Sequence, residues 1–177
     1  MFLLSDLLIK RYIKRRDLGI TPLLEENLSQ TCYYFRLGRH ADILTDDQGS
    51  IDIRRNGLVL NPGVMARVSS LETFAMPINV MALLGGQTEL PTERQLQLLH
   101  GPSIDPGYEG SIEFVVINIG QQPVALHYGD RIGKVMLFDV TETSLDEVRL
   151  QEQVRKRADR LRKFGTADEN PDAEFMQ

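Results

Sequence analysis

Between Thr31 and Val140 the sequence breaks into short β-prone runs separated by Gly, Pro, Asn and Asp clusters, and this punctuation restricts the possible folds more than any other feature. The runs TCYYFRLG, SIDIRRNGLVLNPG, ARVSSLETFAMP, INVMALLGG, SIEFVVINIG, PVALHYGD and RIGKVMLFDV are rich in β-branched, aromatic and aliphatic residues. Many short strands at nearly even spacing predict an all-β sandwich, jelly roll or barrel rather than βαβ units. Asn56-Gly57 predicts a hairpin turn, and Asn61-Pro62-Gly63, Pro106-Gly107 and Gly129-Asp130 mark further turns.

Helical patterns flank this body. Ser5 stands as an N-cap before DLLIKRYIKRRDLG, with Leu7, Leu8, Tyr12 and Ile13 at helical spacing and Gly19 as the stop. The basic cluster Lys14, Arg15, Arg16 then forms a solvated face. Ser144-Leu145-Asp146-Glu147 has the capping-box form and opens a second helix, whose residues Val148, Val154, Ala158 and Leu161 make a narrow apolar stripe. The polar, acidic tail TADENPDAEFMQ is expected to be disordered. The expected organisation is a body over residues 1–142 that includes the N-terminal helix, a C-terminal helix over 143–165 and a tail over 166–177.

A chain of 177 residues with net charge −5 fits one domain and does not favour nucleic acid, whose binders present a basic face. Cys32 is the single cysteine, which excludes an internal disulfide and the multi-cysteine zinc sites of metal-dependent deaminases, so no zinc is expected. His40, His100 and His127 have no ligand spacing, and no metal site is expected. Asp6, Lys10 and Arg11 interrupt the apolar start before a signal-peptide core or membrane span can form, which predicts a cytoplasmic protein away from membranes.

Pro106-Gly107 suits the centre of a type II turn, so Asp105 and Tyr108 are expected to face each other across a hairpin mouth. Such a mouth can hold a flat base, with Asp105 orienting a water or bonding a sugar hydroxyl. Equally, Asp105 can satisfy the turn while Tyr108 packs at a strand start. Spacing alone leaves both open.

IDPGYEGSIEFVVINIG followed by GDRIGKVMLF resembles the third and fourth motifs of the dUTPase and dCTP deaminase superfamily. LSDLLIK, Gly19-Ile20-Thr21-Pro22 and FRLG resemble the deaminase N-terminal segment, while LVLNPG and Ser70-Leu71-Glu72 with Pro77 resemble its middle strands. The resemblance implies a distorted jelly roll (the dUTPase-like β-clip) forming a homotrimer, with a pyrimidine deoxynucleotide at subunit interfaces and Mg2+ on its triphosphate. By matching, Asp105 contacts the sugar and helps position the attacking water, Tyr108 stacks on the deoxyribose, and the backbone around Ile104 and Gly107 reads the pyrimidine. Gln87 and Thr88 of the second motif and Lys134 of the fourth are then the candidate phosphate contacts.

The departures from the family pattern are chemical. Tyr34 stands where the first motif has an acid, and Gly86-Gln87-Thr88-Glu89-Leu90 replaces Gly-Arg-Ser-Ser-Leu. Glutamine cannot supply the charged fork of arginine, and Glu89 near a phosphate is repelled by roughly 4 kcal/mol at about 4 Å in an effective dielectric of about 20. The deaminase glutamate that activates water aligns with Val115, and its assisting arginine with Thr92. Glu113 lies two residues from Val115 with the same side-chain direction on a regular strand, so a bulge or a shifted alignment there would restore a carboxylate. The pattern favours a catalytically degenerate nucleotide-binding or structural homologue over an active dCTP deaminase or dUTP diphosphatase.

Overall fold

The computed structural model describes residues 1–45 and 49–141. The expected C-terminal helix and tail lie outside the described residues.

The N-terminal strand β1 (Phe2–Leu3) leads into helix α1 (Asp6–Lys14), whose first turn is capped by Ser5 Oγ accepting from the Leu8 N–H at 3.4 Å. The helix ends well before Gly19, at Arg16, which takes a left-handed φ of 63°. Its packed stripe is Leu8, Ile9, Tyr12 and Ile13; Leu7, expected on that stripe, is 72% exposed.

Strands follow as β2 (Gly19–Thr21), β3 (Tyr33–Ile43), β4 (Ser50–Asp52), then a single helical turn α2 (Ile53–Asn56), β5 (Leu58–Leu60), β6 (Met65–Ala75) and β7 (Val80–Gly86). A second helical turn α3 (Glu89–Thr92) precedes β8 (Leu96–Leu99), β9 (Ser103–Ile104), β10 (Glu109–Asn118), β11 (Val124–Leu126) and β12 (Arg131–Asp139). The main sheet runs β8-β10-β6-β3-β12-β7-β9, all antiparallel, with β1, β2 and β4 attached to β12, β6 and β3. A separate ribbon joins β5 to β11. The expected mostly-β, curled antiparallel fold is what forms.

Strand β3 makes the curl, because Tyr33–Arg36 pair with β12 while Leu37–Ile43 pair with β6 across a register shift. Gly38 sits at this fold-over, where a Cβ would approach the Ser69 carbonyl oxygen to 2.8 Å. The concave face buries Tyr33, Phe35, Phe74, Phe114, Val116 and Leu137, with edge-to-face contacts for Phe35–Phe114 at 5.7 Å and Tyr33–Phe74 at 6.5 Å. Gly133 lies directly under the Phe35 ring, which leaves no room for a side chain.

Two expected hairpins are not hairpins. Asp52 accepts from the Arg54 N–H at 3.1 Å and Ile53 is buried, so the chain winds one helical turn there, and Gly57 closes it at φ 67°. Asn-Gly serves a left-handed helix stop as readily as a hairpin, and the flanking β4 and β5 pair with different strands. At Pro106-Gly107 the turn does form, with Gly107 at φ 72° and the Tyr108 N–H donating to the Asp105 carbonyl at 3.2 Å. It joins β9, which pairs with β7, to β10, which pairs with β6 and β8, so Asp105 and Tyr108 do not face each other across a hairpin mouth.

One carboxylate lies fully inside. Glu72, at 0% exposure, accepts from the Arg36 N–H at 2.8 Å, Arg36 Nε at 2.7 Å and the Tyr33 hydroxyl at 3.2 Å, tying β6 to β3. Burial, and then the Glu72 charge, push the Tyr33 phenol up to about 12. Truncating one partner of such a pair strands the other, so Glu72→Ala should lower unfolding free energy by about 3–5 kcal/mol in urea titrations. The raised Tyr33 pKa contributes stability that is complete below about pH 10 and lost as pH climbs through about 12. Alkaline denaturation curves of Tyr33→Phe should lack that component of the slope; a slope identical to that of the parent would reject this origin.

Candidate functional site

The turn 105–108 is docked on the segment before β7. The Met76 N–H donates to the Tyr108 carbonyl at 2.8 Å and the Gly107 N–H to the Pro77 carbonyl at 3.3 Å. That amide, expected to read a pyrimidine, is therefore engaged within the chain. Ile104 is buried and paired with Ala82. Asp105 is exposed at the turn, and the half-buried Tyr108 donates its hydroxyl to the Ser111 carbonyl, the ring folding over Gly110. Gly110 is at φ 140°, and a Cβ there would meet the Tyr108 hydroxyl at 3.4 Å, so Gly110 keeps the ring's seat open.

Strand β6 carries a bulge against β10: Ser111 and Glu113 pair with Thr73 and Ser69, so Ser70, Leu71 and Glu72 stand opposite Ile112 alone. Ile112 turns inward opposite this bulge and its N–H donates to Ser70 Oγ at 2.9 Å, while the Ser70 hydroxyl donates to the Glu72 carbonyl at 2.6 Å. Beyond the bulge, Glu113 and Val115 share the outward face, Glu113 exposed opposite Ser69, and Val115 half-buried between Arg67 and Leu99. Ser70 was not legible as a site residue; its only signal was a small polar residue at an inward position of a strand.

The second-motif loop lies at the far end of β7. Gln87 and Thr88 lead from Gly86 into α3 and, with β8, line a cleft of about 320 Å³ that includes Leu96, Leu98 and His100. Gln87 Nε2 is buried there with no hydrogen-bond partner. Glu89 and Thr92 are exposed on α3. A Cβ at Gly85 would meet the Lys134 stem at 3.5 Å, whereas one at Gly86 would meet Leu98 at 3.6 Å, so Lys134 lies on the opposite face of β7 from the cleft. Tyr34 sits beneath the Arg131 guanidinium at 5.8 Å, and Arg131 donates to Asn27 Oδ1 at 2.7 Å. Cys32 first, then burial, raises the Tyr34 phenol's pKa, with Glu89 adding to it.

Two retained groups are thus far apart within one chain. Ile104 pairs with Ala82 and the second-motif loop starts after Gly86, a separation of about 13 Å along the strand at about 3.3 Å per residue. The loop's amide oxygen, hydroxyl and Glu89 carboxylate are donors that would suit a magnesium ion, but the cleft lining holds no lysine or arginine to meet the triphosphate itself. Among the described residues no three His, Cys, Asp or Glu side chains gather as metal ligands, and no helix is long and apolar enough to cross a membrane.

The fold places the chain in the class that holds the dUTPases and dCTP deaminases. It superimposes on a 2'-deoxycytidine 5'-triphosphate deaminase from Agrobacterium tumefaciens with TM-score 0.66 and 16% identity, covering 87% of this chain and 53% of that one. The chain therefore spans about half the length of that protein. A dUTPase from phage phi11 of S. aureus superimposes with TM-score 0.51 and 14% identity, over 73% of this chain and 94% of that one. A family model described as dCTP deaminase-like matches residues 3–140, and the chain belongs to that family. A dUMP-forming dCTP deaminase of Methanospirillum hungatei is 30% identical over 158 residues, 81% of this chain and 84% of that protein. A dUMP-forming dCTP deaminase of Corynebacterium glutamicum is 29% identical over 154 residues, 78% of this chain and 82% of that protein.

Since Ser70 satisfies the Ile112 amide opposite the β6 bulge, Ser70→Ala should cost about 1–3 kcal/mol and speed hydrogen exchange at Ile112 selectively. Unchanged protection at Ile112 would show that the bulge does not depend on this hydroxyl.

Proposed function

We propose that this chain binds a pyrimidine deoxynucleoside or its nucleotide as a homotrimer and does not deaminate it. The carrying observation is Val115, half-buried on the outward face of β10 at the position matched to the family's water-activating glutamate. An isopropyl group accepts no proton, and Thr92 at the arginine position stabilises no developing charge. The trimer is supported by the separation of the turn at Asp105 from the loop at Gln87. A ligand touching both takes one of them from a second copy. In that arrangement the Asp105 carboxylate bonds a sugar hydroxyl and the Tyr108 ring, held by Ser111 and Gly110, stacks on the deoxyribose.

A second reading, an active deaminase, has one observation in its favour. β10 alternates regularly from Ile112 onward, so Glu113 points outward on the face that Val115 occupies and a carboxylate stands one outward position away.

Incubation with dCTP and magnesium, followed chromatographically for uracil nucleotides and pyrophosphate, should give no product above the protein-free reaction. Turnover abolished by Glu113→Gln would establish the second reading instead. Light scattering should report a trimer, and a monomer at micromolar concentration would remove the shared site.

A further inference from the structure

The cleft beside β8 has a lining unlike that of a polyphosphate site. Its polar groups are the amides of Gln87 and Gln97, the Thr88 hydroxyl and the His100 imidazole, set among Leu96 and Leu98. No Lys, Arg, Asp or Glu lines it. The nearby cations are committed elsewhere or face away: Arg94 donates to the Ala125 carbonyl at 2.5 Å and lies 3.7 Å from Asp130, Lys134 lies on the other face of β7, and Arg131 holds Asn27 and covers Tyr34. Glu89, exposed on the adjoining helical turn, repels an anion.

The hydrogen-bonding groups alternate in kind. Gln87 Nε2 is a buried donor without a partner, a state that a ligand carbonyl would relieve. The Thr88 side chain does not cap α3, so its hydroxyl is available to donate or accept. Gln97 spends its Nε2 on the Leu98 carbonyl at 3.1 Å, which leaves Oε1 as an acceptor. His100 Nδ1 lies 2.7 Å from the Gly101 carbonyl and is the donor in that contact, so Nε2 is the ring nitrogen left to face a ligand. Donors and acceptors side by side between aliphatic walls complement a planar heterocycle bearing a carbonyl and an amino or imino group. A cavity of about 320 Å³ is at the small end of ligand sites, enough for a base with its sugar.

We infer that this cleft receives an uncharged pyrimidine nucleoside, base first, and discriminates against the triphosphate. The inference rests on the proposed nucleoside binding and names the form of ligand that the site takes. Gln87 is the donor that decides it, since its neutral amide stands at the loop position where a guanidinium would reward phosphate.

Calorimetry on the intact protein with deoxycytidine, deoxyuridine, dCTP and dUTP, the last two with magnesium, tests the ranking. At least one nucleoside should bind tenfold or more tightly than its own triphosphate, with amide chemical-shift changes at Gln87, Thr88 and His100. Gln87→Leu should weaken the nucleoside about tenfold, the loss of one well-made hydrogen bond in a dry site, and Gln87→Arg should reverse the ranking toward the triphosphate. A triphosphate preference in the parent protein would overturn the inference while leaving nucleotide binding intact. Nucleoside binding with unchanged affinity in Gln87→Leu and shifts outside the cleft would overturn its placement. No binding of any of the four ligands would sink both the inference and the proposed function.

Discussion

The architecture turns on a carboxylate that has no contact with water. Glu72 lies in the middle of β6 and receives three donors from β3: the Arg36 amide, the Arg36 guanidinium and the Tyr33 hydroxyl. An ionised group inside a core is tolerated only when its lone pairs are filled, so these bonds set how β3 crosses β6. That crossing is where the sheet curls, with β3 leaving β12 to join β6 around Gly38. Arg36 also reaches the Pro22 carbonyl at 3.2 Å, so the segment after β2 is fastened to the same point.

The consequences reach the candidate site through Ser70, two residues before Glu72. Its hydroxyl donates to the Glu72 carbonyl and accepts from the Ile112 amide, bridging the β6 bulge to β10. β10 keeps its regular alternation opposite that bulge, so Glu113 and Val115 share a face while Ile112 and Phe114 enter the core. Scaffold and strand β10 are joined by a short chain of hydrogen bonds. Tyr34, Gln87, Thr92 and Val115, on which the proposed binding role rests, lie outside that chain, and the fold that holds them does not by itself carry an activity.

Much of this was legible from the order of motifs. The runs after Thr31 predicted an antiparallel β body, Ser5 predicted the start of α1, and Pro106-Gly107 predicted a turn with a left-handed glycine, all local consequences of residue type. Strand partners were less legible. Asn56-Gly57 and Pro106-Gly107 looked like hairpin centres because a turn signal contains no information on which strands its flanks will join. Leu7 looked like part of the packed stripe because helical periodicity does not say how deeply a short helix is seated, and Ile9 took the buried position instead.

What the sequence determined by itself was the family frame: residues 3–140 match the dCTP deaminase-like model, and a valine such as Val115 cannot act as a base whatever surrounds it. Only the tertiary structure decided where those residues meet. It put the Asp105 turn and the Gln87 loop at opposite ends of β7, moved Lys134 to the far face from the cleft, and placed Gln97 and His100 beside Gln87. Residue type is a local property, but faces, registers and clefts arise from pairings between distant strands, and those depend on how the whole core closes around Glu72.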